Sequence, residues 1–385
     1  MRGAQGDSSN AIRTDLGAIF VSLELSRSKW VITSLSPGAG EKLSRREVPA
    51  GSAGALLDHF AELQRKAQAR CGEEFGIIAI QEAGLDGFWL HRVLEREGLE
   101  SHVVDAASIA VPRRKRRAKT DRIDGEALLR VLLAYKRGEP RVCAMVRPPT
   151  PEEEDRRRVT RERQVLIKER IEQVNRIKGL LFAQGIASYQ PLRRDRRARL
   201  EQLTTGDGRP LPEHLKTQIA RALDRLELIL EQIKEVEAAR DAMLAAERQA
   251  SVGLDLLCGL KSIGNDFAAN LWTEGLSRHF DNRRRLGSYA GFASSPWQSG
   301  RINHDQGISK AGNPRLRKML VQLAWLWTRH QPNSELTKWF NERVKQNNGR
   351  FKKRLIVALA RKLLVALWKY TTQGVVIEGA VLKPR

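Results

Sequence analysis

Gly76-Ile77-Ile78-Ala79-Ile80-Gln81-Glu82-Ala83-Gly84 is the stretch on which the fold turns. Its apolar run is too short for a core helix and reads as a central strand buried on both faces. A carboxylate, Glu82, closes the run, followed by a small residue and a glycine. Ligands in open α/β sheets gather beyond the carboxyl ends of strands, which makes Glu82 a candidate site residue. It reads equally as a helix-start acid.

Working outward, residues 18–25 and 30–34 read as two strands joined by a short link, hence a hairpin. Residues 42–48 form a weaker third strand, and 55–69 carry the helical spacing Leu56, Leu57, Phe60, Leu63. Beyond the central strand, a helix over 88–97 precedes a short strand at 102–105. Then come the basic run Arg113-Arg114-Lys115-Arg116-Arg117 and the segment Ala118-Lys119-Thr120-Asp121-Arg122-Ile123-Asp124-Gly125. That segment opens an apolar helix marked by Ala127, Leu128, Val131 and Leu132. Three strands, helix, strand, helix, strand, helix is the order of an RNase H-like domain. Glu24 ends the first strand, and Asp121 and Asp124 share one helix face at a spacing of three. Four carboxylates gathered at one place repel one another unless a cation neutralises them. Magnesium is commonly held by one or two carboxylates together with substrate phosphates, which the neighbouring arginines would attract. The plainer alternative makes Glu24 a solvent-facing strand residue and Asp121 and Asp124 a helix cap and a first-turn acid.

Composition narrows the partner. The chain has 385 residues and a formal net charge of +23, which points to a polyanion. No apolar run reaches the length of a membrane-spanning helix, so nucleic acid is favoured over a membrane. Residues 1–16 read as a disordered lead without the apolar core of a signal peptide. Cys71, Cys143 and Cys258 lie far apart, without metal or redox spacing, and are expected to be buried thiols in a reducing cytosol.

Pro148-Pro149-Thr150-Pro151 breaks the chain. Leu166, Ile167, Ile171, Val174, Ile177 and Leu181 then mark one apolar stripe. Leu215, Ile219, Leu223, Leu226, Leu230, Ile233 and Val236 mark another, across a basic connection at 190–210. This predicts a long helical hairpin or coiled coil, suited to a protomer contact or a spacer. From Gly253 a glycine-punctuated turn at 259–264 leads into an apolar helix. It reads as a phosphate-facing turn or as a tight turn only. A segment rich in Gly, Ser and cations follows, with Ser299-Gly300 and then Lys310, Arg315 and Arg317 as candidate phosphate clamps. Ser299 reads either as a nucleophile needing activation or as a polar loop residue. Residues 316–327 and 355–368 are apolar helices, and their Trp325, Trp327 and Trp368 are expected in the core.

From about residue 17 to residue 370 the chain resembles the DEDD-type insertion-sequence transposases, serine-dependent recombinases with a RuvC-like N-terminal domain. The matching residues are Glu24, Glu82-Ala83-Gly84, and Asp121 and Asp124 in Lys-Thr-Asp-x-x-Asp. Ile263-Gly264, Tyr289-Ala290-Gly291, Ser299-Gly300, Lys310-Ala311-Gly312-Asn313 and Arg315-Leu316-Arg317 complete the order. The family usually has Asp in the first acidic position, where this chain has Glu24.

The resemblance implies an α/β-plus-α protein. Its parts would be a lead at 1–16, a RuvC-like RNase H-fold domain at 17–147 and a helical coiled-coil region at 148–250. A C-terminal, mostly helical transposase domain at 251–372 and a tail at 373–385 would follow. It implies Ser299 as the nucleophile, with Ser294 and Ser295 as nearby alternatives, and Glu24, Glu82, Asp121 and Asp124 as ligands of magnesium or its substitute manganese. Nucleic acid would be bound by Arg113, Arg114, Lys115, Arg116, Arg117, Lys119, Lys310, Arg315 and Arg317. The partners would be double-stranded DNA, a structured bridge RNA and further copies of the chain in a dimer or tetramer. The acidic domain of one protomer would work with the serine domain of another. The setting would be cytoplasmic, at the nucleoid. Two alternatives stand beside this reading: a metal-dependent junction-resolving nuclease, and an inactive nucleic-acid-binding relative.

Overall fold

The computed structural model describes residues 17–39, 42–84, 87–109, 121–140, 142–299 and 302–384. The chain divides at Pro149/Thr150 into two compact units.

In the first unit, β1 (Ala18–Leu25), β2 (Lys29–Leu35) and β3 (Ser44–Pro49) precede α1 (Ala53–Cys71). Then come β4 (Gly76–Glu82), α2 (Trp89–Arg96), β5 (Glu100–Val104) and α3 (Asp121–Lys136). The strands form one mixed sheet of order β3-β2-β1-β4-β5. β1–β2 and β2–β3 are antiparallel, whereas β1–β4 and β4–β5 are parallel. Glu82 is the last residue of β4 rather than the first beyond it.

Strand alternation sorts the side chains onto two cores. Ile19, Val21, Leu23, Ile77 and Ala79 pack against Leu56, Phe60 and Leu63 of α1 and Leu90 and Leu94 of α2. Ala18, Phe20, Ile78, Ile80 and Val104 pack against Leu128, Leu129, Leu132 and Leu133 of α3. Each large side chain so buried contributes about 1.5–3 kcal/mol relative to exposure. β4 is covered on both faces, which is why its sequence is an unbroken apolar run rather than an alternating one. α1 starts where the Ser52 side chain accepts from the Ala55 amide, and it stops at Gly72, whose φ of 79° is left-handed.

Among its described residues the second unit is mostly helical, with one hairpin and two isolated β-bridges. It runs through α4 (Pro151–Phe182), α5 (Arg196–Glu201), α6 (Glu213–Ala250), α7 (Val252–Gly259) and α8 (Asn265–Leu271). A π-helical turn, Trp272–Leu276, continues from α8. Then follow α9 (Arg283–Tyr289), β6 (Ser294–Ser299), β7 (Ile302–Ile308), α10 (Pro314–His330), α11 (Glu335–Gln346) and α12 (Lys352–Gln373).

A capping box starts α4. The Thr150 hydroxyl accepts from the Glu153 amide, and the Glu153 carboxylate accepts from the Thr150 amide. α4 and α6 pair along the expected stripes, with Ile177 and Leu181 against Ile219, Leu223 and Leu226, and Leu166 against Ile229 and Ile233. Arg156–Glu247 and Arg163–Glu237 ion pairs flank that seam. Ile171 departs from the stripe and is 48% exposed.

The core of α7–α12 gathers Leu254, Leu257, Leu286, Leu320, Leu363 and Trp327. Trp327 and Trp368 are buried as expected, but Trp325 is 40% exposed and lies under the Lys352 ammonium, 5.6 Å from its ring centre. Of the three cysteines, all free, only Cys258 is buried, and Cys71 is exposed. Among the described residues no helix is long and apolar enough to cross a membrane.

Candidate functional site

The carboxylates of the first unit are placed by the pleat. Ala18 and Phe20 face α3, as do Ile78 and Ile80. Successive side chains alternate, so Glu24 and Glu82 continue that face at the carboxyl ends of adjacent parallel strands. They follow directly on Leu23 and Gln81, the last residues that β1 and β4 pair with each other. α3 is held down on the same face at its own Gly125. The Ser22 hydroxyl donates to the Gly125 carbonyl at 2.8 Å. A Cβ at Gly125 would stand 2.6 Å from the Thr33 hydroxyl oxygen. Asp124, half-buried, precedes that contact.

Asp121 is the first residue of α3, and its side chain lies outside the described residues. So do Arg113, Arg114, Lys115, Arg116, Arg117 and Lys119. Among the described residues, no group of three or more His, Cys, Asp or Glu side chains is close enough to hold a metal ion. The structure therefore sets Glu24 and Glu82 on one face, beside the start of α3, without a closed ligand cluster among the described side chains. Sequence reasoning missed Ser22 and Thr33, the buried polar pair that seats α3. Their signal is a hydroxyl inside an otherwise apolar strand.

In the second unit, Ser299 is not in a loop. It ends β6, paired with Ile302 of β7. Its side chain lies outside the described residues, as do residues 300 and 301. Of its alternatives, Ser294 is exposed and Ser295 half-buried, both near the base of the hairpin. The base continues into a stem. Ser309 N–H donates to the Ala293 carbonyl at 2.8 Å, Lys310 N–H to Gly291 at 3.2 Å, and Asn313 N–H to Tyr289 at 2.6 Å. Gly291 and Gly312 make this approach possible. Their φ angles are 70° and 89°, and a Cβ would meet the Ala311 carbonyl at 2.1 Å or the Tyr289 carbonyl at 2.3 Å.

The stem rests on a buried carboxylate that sequence reasoning did not single out. Glu274, in the π-helical turn, is 1% exposed. Arg161 of α4 donates to it twice, Nε to Oε1 at 2.8 Å and Nη2 to Oε2 at 3.1 Å. Asn313 Nδ2 donates to Oε2 at 2.8 Å, and the Tyr289 hydroxyl donates to the Glu274 carbonyl at 2.8 Å. Asn313 Oδ1 meanwhile accepts from the Arg315 and Leu316 amides and caps α10. Burial pushes the Glu274 carboxyl up, but Arg161, Asn313 and Arg157 together hold it below its ordinary value. Arg157, buried, donates to the Thr273 carbonyl, and its burial lowers the guanidinium's pKa.

The expected phosphate clamps divide. Lys310 and Arg315 are exposed. Arg317 is half-buried and turns its Nη1 to the Ala290 and Ala311 carbonyls, 3.3 and 3.5 Å away. The glycine-punctuated turn at 259–264 is covered by the end of the chain, where the Lys383 ammonium donates to the Cys258 and Ile263 carbonyls at 2.6 Å.

The family model for the IS116/IS110/IS902 transposases matches residues 254–338, the span holding the π-helical turn, the hairpin and Asn313. Along nearly its whole length the chain is similar to "Putative transposase y4rJ" of Sinorhizobium fredii (strain NBRC 101917 / NGR234). The identity is 68% over 382 residues, 97% of this chain and 96% of the relative. A transposase for insertion sequence element IS1328, from Yersinia enterocolitica, is 26% identical over 264 residues, 68% of this chain and 74% of the relative.

Proposed function

The chain belongs to the IS116/IS110/IS902 family and is a DNA transposase of an insertion sequence, and from that premise we propose how it cuts and joins DNA. Ser299 is the nucleophile, the acids Glu24, Glu82, Asp121 and Asp124 are the metal-binding set, and a bridge RNA reads the target. The observation that carries this reading is the position of Ser299. It stands at the far end of a two-stranded hairpin whose stem is fixed by backbone hydrogen bonds at residues 289–293 and 309–313. A nucleophile held there can reach a phosphate while its support stays packed.

In the cleavage step the Ser299 Oγ–phosphorus bond forms as a phosphorus–oxygen bond of the DNA backbone breaks. The serine proton is lost, and the departing oxygen leaves as a free hydroxyl. The phosphodiester energy is kept in the covalent link, so a second DNA hydroxyl reseals the strand by the reverse exchange. Exposed Lys310 and Arg315 flank the stem and suit the phosphate charge.

The order β3-β2-β1-β4-β5, with its antiparallel trio and parallel pair, supports an RNase H-like, RuvC-like reading of the first unit. The donors are hard oxygens and fit magnesium, and Glu24 and Glu82 lie on the face that carries α3. When bound, that ion supplies charge neutralisation at the phosphate oxygens. The α4–α6 arm, with Ile171, Phe182 and Leu228 exposed, supports a coiled-coil contact between protomers. The net charge of +23 suits both DNA and a guide RNA.

The test is a suicide-substrate reaction with the element's junction DNA, its flanking transcript and magnesium, resolved on a denaturing gel. A covalent protein–DNA band is expected in wild type and in neither Ser299→Ala nor Asp121→Ala. An adduct in Ser299→Ala would move the nucleophile to Ser294 or Ser295. Metal-dependent nicking without any adduct would make the chain a hydrolytic nuclease, and binding alone would make it an inactive relative.

A further inference from the structure

We propose that Glu274 and Asn313 are positioning residues that tie the stem of the Ser299 hairpin to the arm helix α4 through Arg161. The inference rests on the reading of Ser299 as nucleophile, but its first readout does not depend on it.

The geometry is a relay of four groups. Arg161 belongs to α4, a 32-residue helix whose far part pairs with α6. Its guanidinium grips both oxygens of Glu274, a paired, planar contact that fixes the carboxylate's orientation as well as its place. The oxygen nearer the stem, Oε2, takes the Asn313 amide. Asn313 then acts on two elements at once, since Oδ1 caps α10 and its backbone N–H closes the stem on Tyr289. The Tyr289 hydroxyl returns to the Glu274 carbonyl, so both strands of the stem are anchored on one residue.

A buried carboxylate is a costly way to hold a fold together, because an apolar residue of similar volume would do as well or better. What a carboxylate adds is direction. It takes three N–H donors in set directions, two from Arg161 of the arm and one from Asn313 of the stem. A change in the arm that moves Arg161 therefore moves the Asn313 amide and the hairpin stem with it. Displacement of a reacting group by about 1 Å can cost about a hundredfold in rate. The relay thus makes cleavage by Ser299 depend on the state of the α4–α6 arm, the element read above as the protomer contact.

The experiment compares full-length wild type with Arg161→Gln, Asn313→Asp, Glu274→Gln and the double variant Glu274→Gln/Asn313→Asp. Asn313→Asp keeps the α10 cap but sets two carboxylates face to face. The double variant restores a donor opposite an acceptor, with roles exchanged. Hydrogen exchange is read amide by amide, and adduct formation is timed with DNA in excess.

The expected result is loss of protection confined to the hairpin strands 294–299 and 302–308 in each single variant, with protection retained in α10 and α12. Adduct formation would slow by about a hundredfold at unchanged DNA affinity, and the double variant would recover both protection and rate. Loss of protection spread evenly over residues 254–338 would make Glu274 a pillar of the fold only and overturn the proposal. Unchanged hairpin protection in Asn313→Asp would overturn it as well, as would the absence of recovery in the double variant. If Ser299→Ala still forms adduct, the nucleophile assignment fails, and the exchange pattern alone decides the relay.

Discussion

At the scale of the residue, two positions have consequences that can be measured. Gly125 is the contact point of α3 on the sheet, where a Cβ would stand 2.6 Å from the Thr33 hydroxyl oxygen. Alanine in an open helix is worth about 1 kcal/mol over glycine, but overpacking a tight contact costs about 1–3 kcal/mol. Gly125→Ala should therefore destabilise the first unit in the wild-type chain and stabilise it in a Thr33→Ala chain. Denaturant unfolding of the four chains checks this, and the same sign in both backgrounds would refute the contact.

Glu274 gives a pH prediction. Its carboxyl is held below its ordinary value of 4.5 against burial, so the ionised form binds better in the folded state. Its stabilisation is complete above the unfolded value and is lost as pH falls through the lower, folded one. Removing one partner of a buried pair costs about 3–5 kcal/mol, and less here because the Arg161 side chain is 40% exposed. Glu274→Gln should lower the thermal midpoint near neutral pH, and the gap to wild type should narrow only below about pH 4.5. A constant gap down to pH 3 would show that the charge is not what Glu274 contributes. Glu274 is hard to see in the sequence because its partner Arg161 is 113 positions away. A lone glutamate in an apolar helix carries no local sign of that pairing.

At the scale of the element, legibility follows the buried face. β1, β2, β4 and the helices α1 to α3 each bury one side or both, and their apolar spacing is set by that burial. The β6–β7 hairpin has no such apolar spacing. Its strands hold Pro296, Gln298, Asn303, His304 and Asp305, and a register shift falls between Ser294 and Pro296. A polar segment without period-two alternation reads as a loop although it pairs as strands. The seven-residue α9, which opens on three consecutive arginines, is too short for its one buried leucine, Leu286, to mark a stripe. The arm shows the converse case. The stripe predicted α4 and α6 well, and the residue that breaks it, Ile171, is informative because it is exposed. Phe182 and Leu228 are more exposed still, at 72% and 55%. If the arm joins protomers, Phe182→Glu with Leu228→Glu should shift the mass in solution toward the single chain. Thermal stability at high dilution should change by less than about 0.5 kcal/mol, as for ordinary surface positions. An unchanged mass would move the protomer contact off this part of the arm.

At the scale of the molecule, charge and chemistry separate. The chain has 68 Lys and Arg against 45 Asp and Glu, and many of the acids are already spent inside the second unit on arginines, as in Arg156–Glu247, Arg163–Glu237 and Arg197–Asp224. The cations left over are what a polyanion meets. Each phosphate neutralised on duplex DNA releases counterions and adds about 0.9 to the steepness of log affinity against log salt. The run Arg113, Arg114, Lys115, Arg116 and Arg117 offers five such contacts. Replacing all five by glutamine should flatten the slope by at most about 4.5 if every one meets a phosphate, whereas Ser299→Ala should leave it unchanged. The two effects part in the adduct assay as well. The five-fold variant should regain adduct formation as salt is lowered, because its defect is one of affinity. Ser299→Ala should form none at any salt concentration, because its defect lies in the reacting atom. A five-fold variant with the wild-type slope would mean that the run does not lie on the DNA backbone, and the search for the duplex track would pass to the exposed cations at Lys310 and Arg315 and at the start of α12.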